Sequence, residues 1–388
     1  MECEASARSV TGSPGCSLPD DGWSDVGPGG SESRCLEPGG VTPDHRTIHT
    51  ARFLALQRAV DPLANSPLST CALGYAARVH APLVVGLGRI GVAISGLGPN
   101  LPGVDAHVAD LAALATSPAP GVAVALRAAL RLGCRARAAG THGADLLGQL
   151  ARTALREAGI DVEMLRAVGT SACDVVIVAG DGTLRTRYNG DRGEPIVSDA
   201  ATTLAGASAL LIDGTEPGDQ LQVAELARRN KLPVIFDVSE LRDGTAELIA
   251  SCDILLASER EASELAPRGE LTDALAELIA LGPRAVVITL GNEGAIGRHG
   301  DQVIRCPAFP SDVLDAHGAG SVFHGAFAAA LLSEVPFARC MQLAAAAASL
   351  SLRELGPWSA MPAREDVLAL VRTRRSDSGQ MATTTPTT

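Results

Sequence analysis

From residue 207 onward the chain alternates short apolar runs with helix-length segments, a rhythm that few folds accept. "SALLID", "PVIFD", "DILLA" and "AVVITL" read as strands, and segments 218–229, 243–250, 259–265 and 271–281 between them as helices. Strands separated by helices of that length need right-handed crossovers, hence a parallel sheet covered on both faces. Upstream, "PLVVG" and "CRARAAG" read as strands around a helix over 121–133. Segment 144–158 puts Leu146, Leu147, Leu150, Ala151 and Leu155 on one helical face, and Gly159 ends it. "DVVIVA" and "LRTRY" flank "GDG", the signal of a hairpin over 174–188. A hairpin does not fit inside a parallel sheet and reads as part of a small antiparallel lid. Two Ala-rich helices, 319–333 and 337–353, and a short one near 364–371 complete the pattern. The expected fold is α/β: three layers, a mostly parallel central sheet and a small β-lid.

The expected organisation is an N-terminal extension over 1–80, weakly structured or disordered, then one domain over 81–372, then a disordered tail over 373–388. The lid draws on parts of 86–120 and 172–193. Residues 1–50 are rich in Gly, Pro, Ser and Asp, and 50–65 could form a short amphipathic helix through Phe53, Leu54, Leu56 and Val60. A net charge of −12 argues against duplex nucleic acid as a partner, and 3% aromatic content against stacking on single strands. Lys231 is the only lysine, which excludes a G-x-x-x-x-G-K-[ST] phosphate loop and a protein-kinase V-A-I-K lysine. The nine cysteines form no C-x-x-C and read as free thiols of a reducing compartment. No signal peptide or membrane-spanning run is legible, so a cytoplasmic protein with no membrane partner is expected.

Three segments carry candidate chemistry. In "DVLDAHGAGSVFHGAFAAAL" a Gly-Ala-Gly turn runs into a long apolar helix, so the free amides around Gly318, Ala319 and Gly320 can receive an anion without a lysine. An ordinary glycine turn before a helix has the same appearance. "VVITLGNEGA" places Thr289, Gly291 and Gly294 after a strand, where a nucleotide could lie across the sheet edge or a plain hairpin could turn. In "DILLASEREASEL", Glu261 follows a strand end, where a carboxylate can hold Mg²⁺ through water or simply start a helix. A fourth stretch, "LVVGLGRIG", mimics a dinucleotide fingerprint through Gly86, Gly88 and Gly91. "VAISGLGPNLPG" follows it and cannot be the helix that fingerprint requires.

Together, in this order and spacing, these segments resemble the ribokinase/PfkB carbohydrate kinase family over roughly 82–370. "DAHGAGSVFHGAF" resembles its D-T-x-G-A-G-D signature, "SERE" its N-x-x-E motif and "TLGNEG" its T-x-G-x-x-G nucleotide loop. "AAGTHGADLLGQLARTALREAGID" resembles the segment following its first glycine motif. The resemblance implies a ribokinase-like fold and ATP-dependent phosphoryl transfer to a hydroxyl of a sugar or nucleoside. It places ATP over Thr289, Gly291, Gly294 and Ser258, Mg²⁺ near Glu261, and the anion hole at 318–320. It also gives Asp315 a monovalent-cation role, with K⁺ the candidate ion, and makes a homodimer through the lid one expectation.

The departures fall on ligand-facing positions. Ser321 stands where the family has the Asp that removes the acceptor proton. A hydroxyl is not ionised at neutral pH, so a loss of roughly 10²–10⁴-fold is expected. Gly91 stands for the Asp that grips substrate hydroxyls. Ala119 and Pro120 stand for the G-G pair, Val124 for the following Asn, Ser258 for the Asn of N-x-x-E, and Ala316 for the Thr after Asp315. His317 is a candidate substitute base, and His324 shares a helix face with Ser321. Two readings stay open: a carbohydrate or nucleoside kinase with an unusual base, and an inactive pseudokinase serving as a nucleotide-binding scaffold or regulator.

Overall fold

The computed structural model describes residues 81–103, 110–119, 121–192, 199–267 and 269–377, so the expectations for 1–80, including the helix at 50–65, lie outside the described residues. One sheet runs through the domain. β1 (Leu83–Leu97) lies at its centre, with parallel β3 (Arg135–His142) and then β4 (Asp161–Ala167) on one side. On the other side follow β7 (Ala209–Ile212), β8 (Val234–Val238), β9 (Ile254–Ser258) and β10 (Ala285–Thr289), all parallel. The antiparallel pair β11 (Ala295–His299) and β12 (Gln302–Cys306) closes that edge. Alternate residues of each strand enter opposite apolar layers, as a period of two demands: Leu211, Ile235, Leu256 and Val287 in one, Leu210, Phe236, Leu255 and Val286 in the other.

The first layer holds α1 (Val122–Arg131), α2 (Leu146–Glu157), α8 (Ala319–Leu332), α9 (Phe337–Ser351) and α10 (Arg364–Asp377). The second holds α3 (Ala200–Thr203), α4 (Pro217–Arg229), α5 (Thr245–Ser251), α6 (Glu259–Leu265) and α7 (Leu271–Ala280). Helices on both faces make the expected three-layer α/β fold. α10 runs to Asp377, past the expected end at 371 and into the segment expected to be tail.

β1 differs most from its expected form. "PLVVG" suggests five residues, but the strand has 15 and runs straight through the glycine stretch. Its first half belongs to the main sheet. Its second half leaves that plane and pairs with β2 (Ala113–Ala119) and β5 (Cys173–Ala179), and β6 (Gly182–Tyr188) pairs with β5. These four segments form the lid. Gly91 sits where the strand changes sheets: a Cβ there would lie 2.3 Å from the carbonyl oxygen of Ala172, whose oxygen accepts the Val92 amide. The glycine is required by backbone crowding rather than by a turn.

β1 has β3 on one side and β7 on the other, so the chain reverses its direction of winding between β1 and β7. Ligands of doubly wound sheets enter the crevice outside the carboxyl ends of the strands at such a point. The lid stands over that edge.

Candidate active site

The first turn of α8 is fixed at the carboxyl edge from both ends. Gly318 has φ +84 and precedes the helix; a Cβ on it would lie 2.4 Å from Pro357 Cβ, so only glycine fits. Asp315 is buried and pins the approach: its Oδ1 accepts the His317 amide at 2.8 Å and its Oδ2 the Gly356 amide at 2.8 Å. One turn into the helix, buried His324 lies with Nδ1 against Asp237, near the carboxyl end of β8. Between these anchors, Gly320 is exposed and faces open space. The Ala319 amide donates to Ala316 O at 3.3 Å, while those of Gly320 and Ser321 lie in the first turn, where N–H groups without an intrahelical partner and the helix dipole favour an anion.

His317 reaches the lid. Its Nε2 lies 3.3 Å from Asp174 Oδ2 on β5, and its Nδ1 is buried with no hydrogen-bond partner. Asp174 is 1% exposed and also accepts from Arg185 Nη2 at 2.5 Å and Arg187 Nε at 2.7 Å, both on β6. Arg187 continues to Glu240, which Arg242 also contacts. Burial works against the Asp174 charge, but His317, Arg187 and Arg185 outweigh it and hold the carboxyl below the usual carboxylate range. Ser321, at the position of the missing Asp, is half-buried in the first turn of α8.

The expected nucleotide side is assembled from two neighbouring strand ends. Thr289 of β10 is in register with Ser258 of β9, and Thr289 Oγ1 donates to Ala257 O at 3.4 Å. A short 3₁₀ turn over Gly291–Glu293 follows, closed by Gly294 at φ +96. Ser258 and Glu261 form a capping box: the Ser258 amide donates to Glu261 Oε2 at 3.1 Å and the Ser258 hydroxyl to the same oxygen. Arg260 binds the other oxygen. Serine therefore does the helix-starting work at this position, and Glu261 has neighbours on both oxygens, leaving reach to an ion only through water. Among the described residues, no group of three or more His, Cys, Asp or Glu side chains is disposed to hold a metal ion.

On the acceptor side, Val124 lies in the apolar layer beneath α8 and presents no surface to the crevice. The polar groups there are ones that sequence reasoning missed. Asp213 follows β7 and is fully buried; its Oδ1 accepts from the Thr215 amide at 3.0 Å, Thr215 Oγ1 at 2.6 Å and Gln220 Nε2 at 2.9 Å. Its Oδ2 has no partner and lies beside Gly88 and Gly121. Burial pushes the Asp213 carboxyl up, with Asp237 adding to the effect against the hydrogen bonds from Thr215 and Gln220. Arg89 is buried at the end of β1's main-sheet half, and its amide donates to Thr215 Oγ1 at 2.8 Å. A signal did exist for two of these residues: Asp213 and Asp237 end the runs "SALLID" and "PVIFD", and the ends of parallel strands line such crevices.

A three-layer sheet carrying a lid, with a glycine-started helix at its carboxyl edge, is the ribokinase-like fold. The structure superposes on a putative ribokinase from Agrobacterium tumefaciens with a TM-score of 0.72 at 23% identity, over 76% of this chain and 99% of that one. It superposes on Arabidopsis thaliana ribokinase, complexed with ribose and ATP, with a TM-score of 0.67 at 28% identity, over 75% and 99%. Ribokinase of Bacillus subtilis is 28% identical over 250 residues, 63% of this chain and 84% of the relative. The model of the pfkB family of carbohydrate kinases matches residues 121–364, more than half the chain. The chain belongs to the pfkB carbohydrate kinase family. Among the described residues no helix is long and apolar enough to cross a membrane.

Proposed function

We propose that the protein is an ATP-dependent kinase that phosphorylates a hydroxyl of a small sugar-like acceptor, with His317 in place of the family's aspartate base. The observation that carries this reading is the His317–Asp174 contact directly before the open first turn of α8. Bound ATP, with Mg²⁺ held through water near Glu261, supplies the phosphoryl group. Of the amides expected at 318–320, that of Ala319 is engaged by Ala316 O, so those of Gly318 and Gly320 would receive negative charge on the transferring oxygens, and being backbone donors they do not depend on the lost aspartate. Asp174 accepts a hydrogen bond from the Nε2–H of His317, which leaves Nδ1, buried and without a hydrogen-bond partner, as the basic nitrogen of the ring. Ser321 can hold a hydrogen bond to the acceptor but cannot remove its proton. A K⁺ ion at Asp315 rests on the family resemblance alone, because both of its carboxylate oxygens here accept backbone amides. The names of the relatives support ATP and a sugar as the two substrates.

A second reading, a pseudokinase that binds nucleotide as a scaffold or regulator, is favoured by Ser321 and by Gly91, where the crowding of Ala172 leaves no room for a carboxylate. Release of ADP from ATP and Mg²⁺ over a panel of sugars and nucleosides separates the two. Turnover above about 1 s⁻¹ defeats the scaffold. Turnover that appears only in Ser321→Asp identifies the lost base as the whole deficit, and His317→Gln with undiminished turnover removes His317 from its role.

A further inference from the structure

At the amino edge of the sheet, opposite the crevice, a cleft of about 290 Å³ opens where α8 turns into α9. Its floor is Ile254 and Ala285, the first residues of β9 and β10. Leu331 from the end of α8 and Phe337 from the start of α9 wall it. The 14 residues of α8, about 21 Å at helical rise, separate it from the Gly318 turn. Two polar residues also line the cleft, Arg284 and His299, and both are exposed. The Arg284 side chain is 59% exposed, and its Nε lies 3.8 Å from Asp253 Oδ1, too far for a hydrogen bond. Its guanidinium donates to no other side chain or carbonyl among the described residues. Asp253 uses its other oxygen to accept the Val234 amide at 2.9 Å. The His299 ring stacks on Phe337, with centroids 5.3 Å apart and planes 28° from parallel, and Phe327 backs Phe337 edge-on at 5.7 Å. The cleft therefore offers apolar walls, a flat aromatic pair held from behind, and one fork of donors not committed to the protein. A volume near the lower end of ligand clefts, roughly 300 Å³, calls for an occupant smaller than a nucleotide.

We propose that this cleft is a second ligand site, for a small aromatic carboxylate. The ring lies against the His299–Phe337 pair, where aromatic faces and edges attract one another. The carboxylate meets Arg284, whose planar fork matches two carboxylate oxygens. A singly charged group fits better than a phosphate ester of charge near −2, because one guanidinium faces it and Asp253 stands close by. The site lies at the far end of the strands from the candidate nucleotide and acceptor positions, so it stands whether or not the chain turns over as a kinase.

Fluorine NMR titrations on the full chain would compare para-fluorobenzoate with para-fluorobenzyl alcohol, which has the ring without the charge. The benzoate is expected to bind with a dissociation constant below about 1 mM, and the alcohol about 10-fold more weakly. Arg284→Gln, at an exposed position, is expected to fold and to bring the benzoate down to the level of the alcohol. Val335 also lines the cleft, and Val335→Trp, which fills it from the turn between α8 and α9, is expected to weaken both probes about 10-fold or more. If Val335→Trp fails to fold, Arg284→Gln alone decides. ATP with Mg²⁺ is expected to leave the bound benzoate in place. No benzoate binding up to about 10 mM overturns the proposal, as does equal binding of the two probes. So does benzoate binding undiminished in Arg284→Gln or in folded Val335→Trp. Displacement of the benzoate by ATP would place it at the nucleotide side and overturn the proposal too.

Discussion

Replacing Asp174 with Asn keeps the shape of the side chain and removes the charge on which one histidine and two arginines converge. Taking one member from a buried ion pair costs about 3–5 kcal/mol when the survivor stays buried. Here Arg185 is 44% exposed and Arg187 28%, so water recovers much of their charge and the Arg185 contribution falls toward that of a surface pair. Asn also retains one acceptor oxygen. The expected loss is about 1–3 kcal/mol, a fall in Tm of about 2–10 °C for a domain of this size. The pH dependence has a definite sign. The Asp174 carboxyl is held below its ordinary value when folded, so its stabilisation is complete above the unfolded carboxylate value, about 3.9, and drains away as pH falls from there toward the depressed folded value. Urea unfolding of both proteins should show the full gap at neutral pH and a narrowing gap below about pH 4. In ADP-release assays, Asp174→Asn and His317→Gln should cost little more together than singly, because each breaks the same pair. Equal midpoints at neutral pH, a gap that widens in acid, or fully additive losses of turnover would refute the reasoning.

Gly294→Ala should destabilise by about 2–4 kcal/mol in urea, since its Cβ would lie 2.1 Å from the Cys306 carbonyl oxygen at a left-handed φ. Gly291→Ala, at φ +57 with open space around it, should cost only about 1 kcal/mol, and equal losses would show that crowding is not the cause. Asp213→Asn should raise stability at pH 7 by about 1 kcal/mol, because burial disfavours the Asp213 charge and one of its oxygens has no partner. The folded Asp213 carboxyl sits above its unfolded value, so its contribution is best in acid and erodes as pH rises; melts near pH 4 should show no gain. Cys134, Cys173, Cys252, Cys306 and Cys340 are buried and outside any disulfide, and burial pushes the thiols of Cys134 and Cys340 up to about 12. A disulfide reagent at pH 8 should leave these five unmodified in the native protein and react with them in denaturant, and rapid native labelling of any of them would contradict its burial.

The parallel core was legible because each of its strands is a local apolar run between helices with their own stop signals. "SALLID", "PVIFD", "DILLA" and "AVVITL" all fall on β7 to β10. What escaped was set by distant partners. The reach of β1 through Gly86, Gly88 and Gly91 is invisible to propensity, because glycine reads as a turn until Asp213 and Ala172 are known to press against it. β4, "DVEMLRA", is a short edge strand with two buried positions, Val162 and Leu165, too few to give a period. Asp174 looked like the start of an ordinary hairpin. It meets His317, 143 residues away, only because β5 pairs with the second half of β1. Arg89 was hidden inside a stretch that imitates a dinucleotide loop.

The division between retained and altered parts has one physical origin. The start of α8 is built of amides and a left-handed Gly318, so what preserves it is packing: Gly318 on Pro357, Asp315 on two amides, His324 on Asp237. A side chain that takes a proton or grips a hydroxyl has no such protection. Replacing it costs the fold little, and at Ser258 the substitute even completes a helix cap. The altered positions are therefore free to follow a change of acceptor. At Gly91 the Ala172 carbonyl occupies the space a side chain would need.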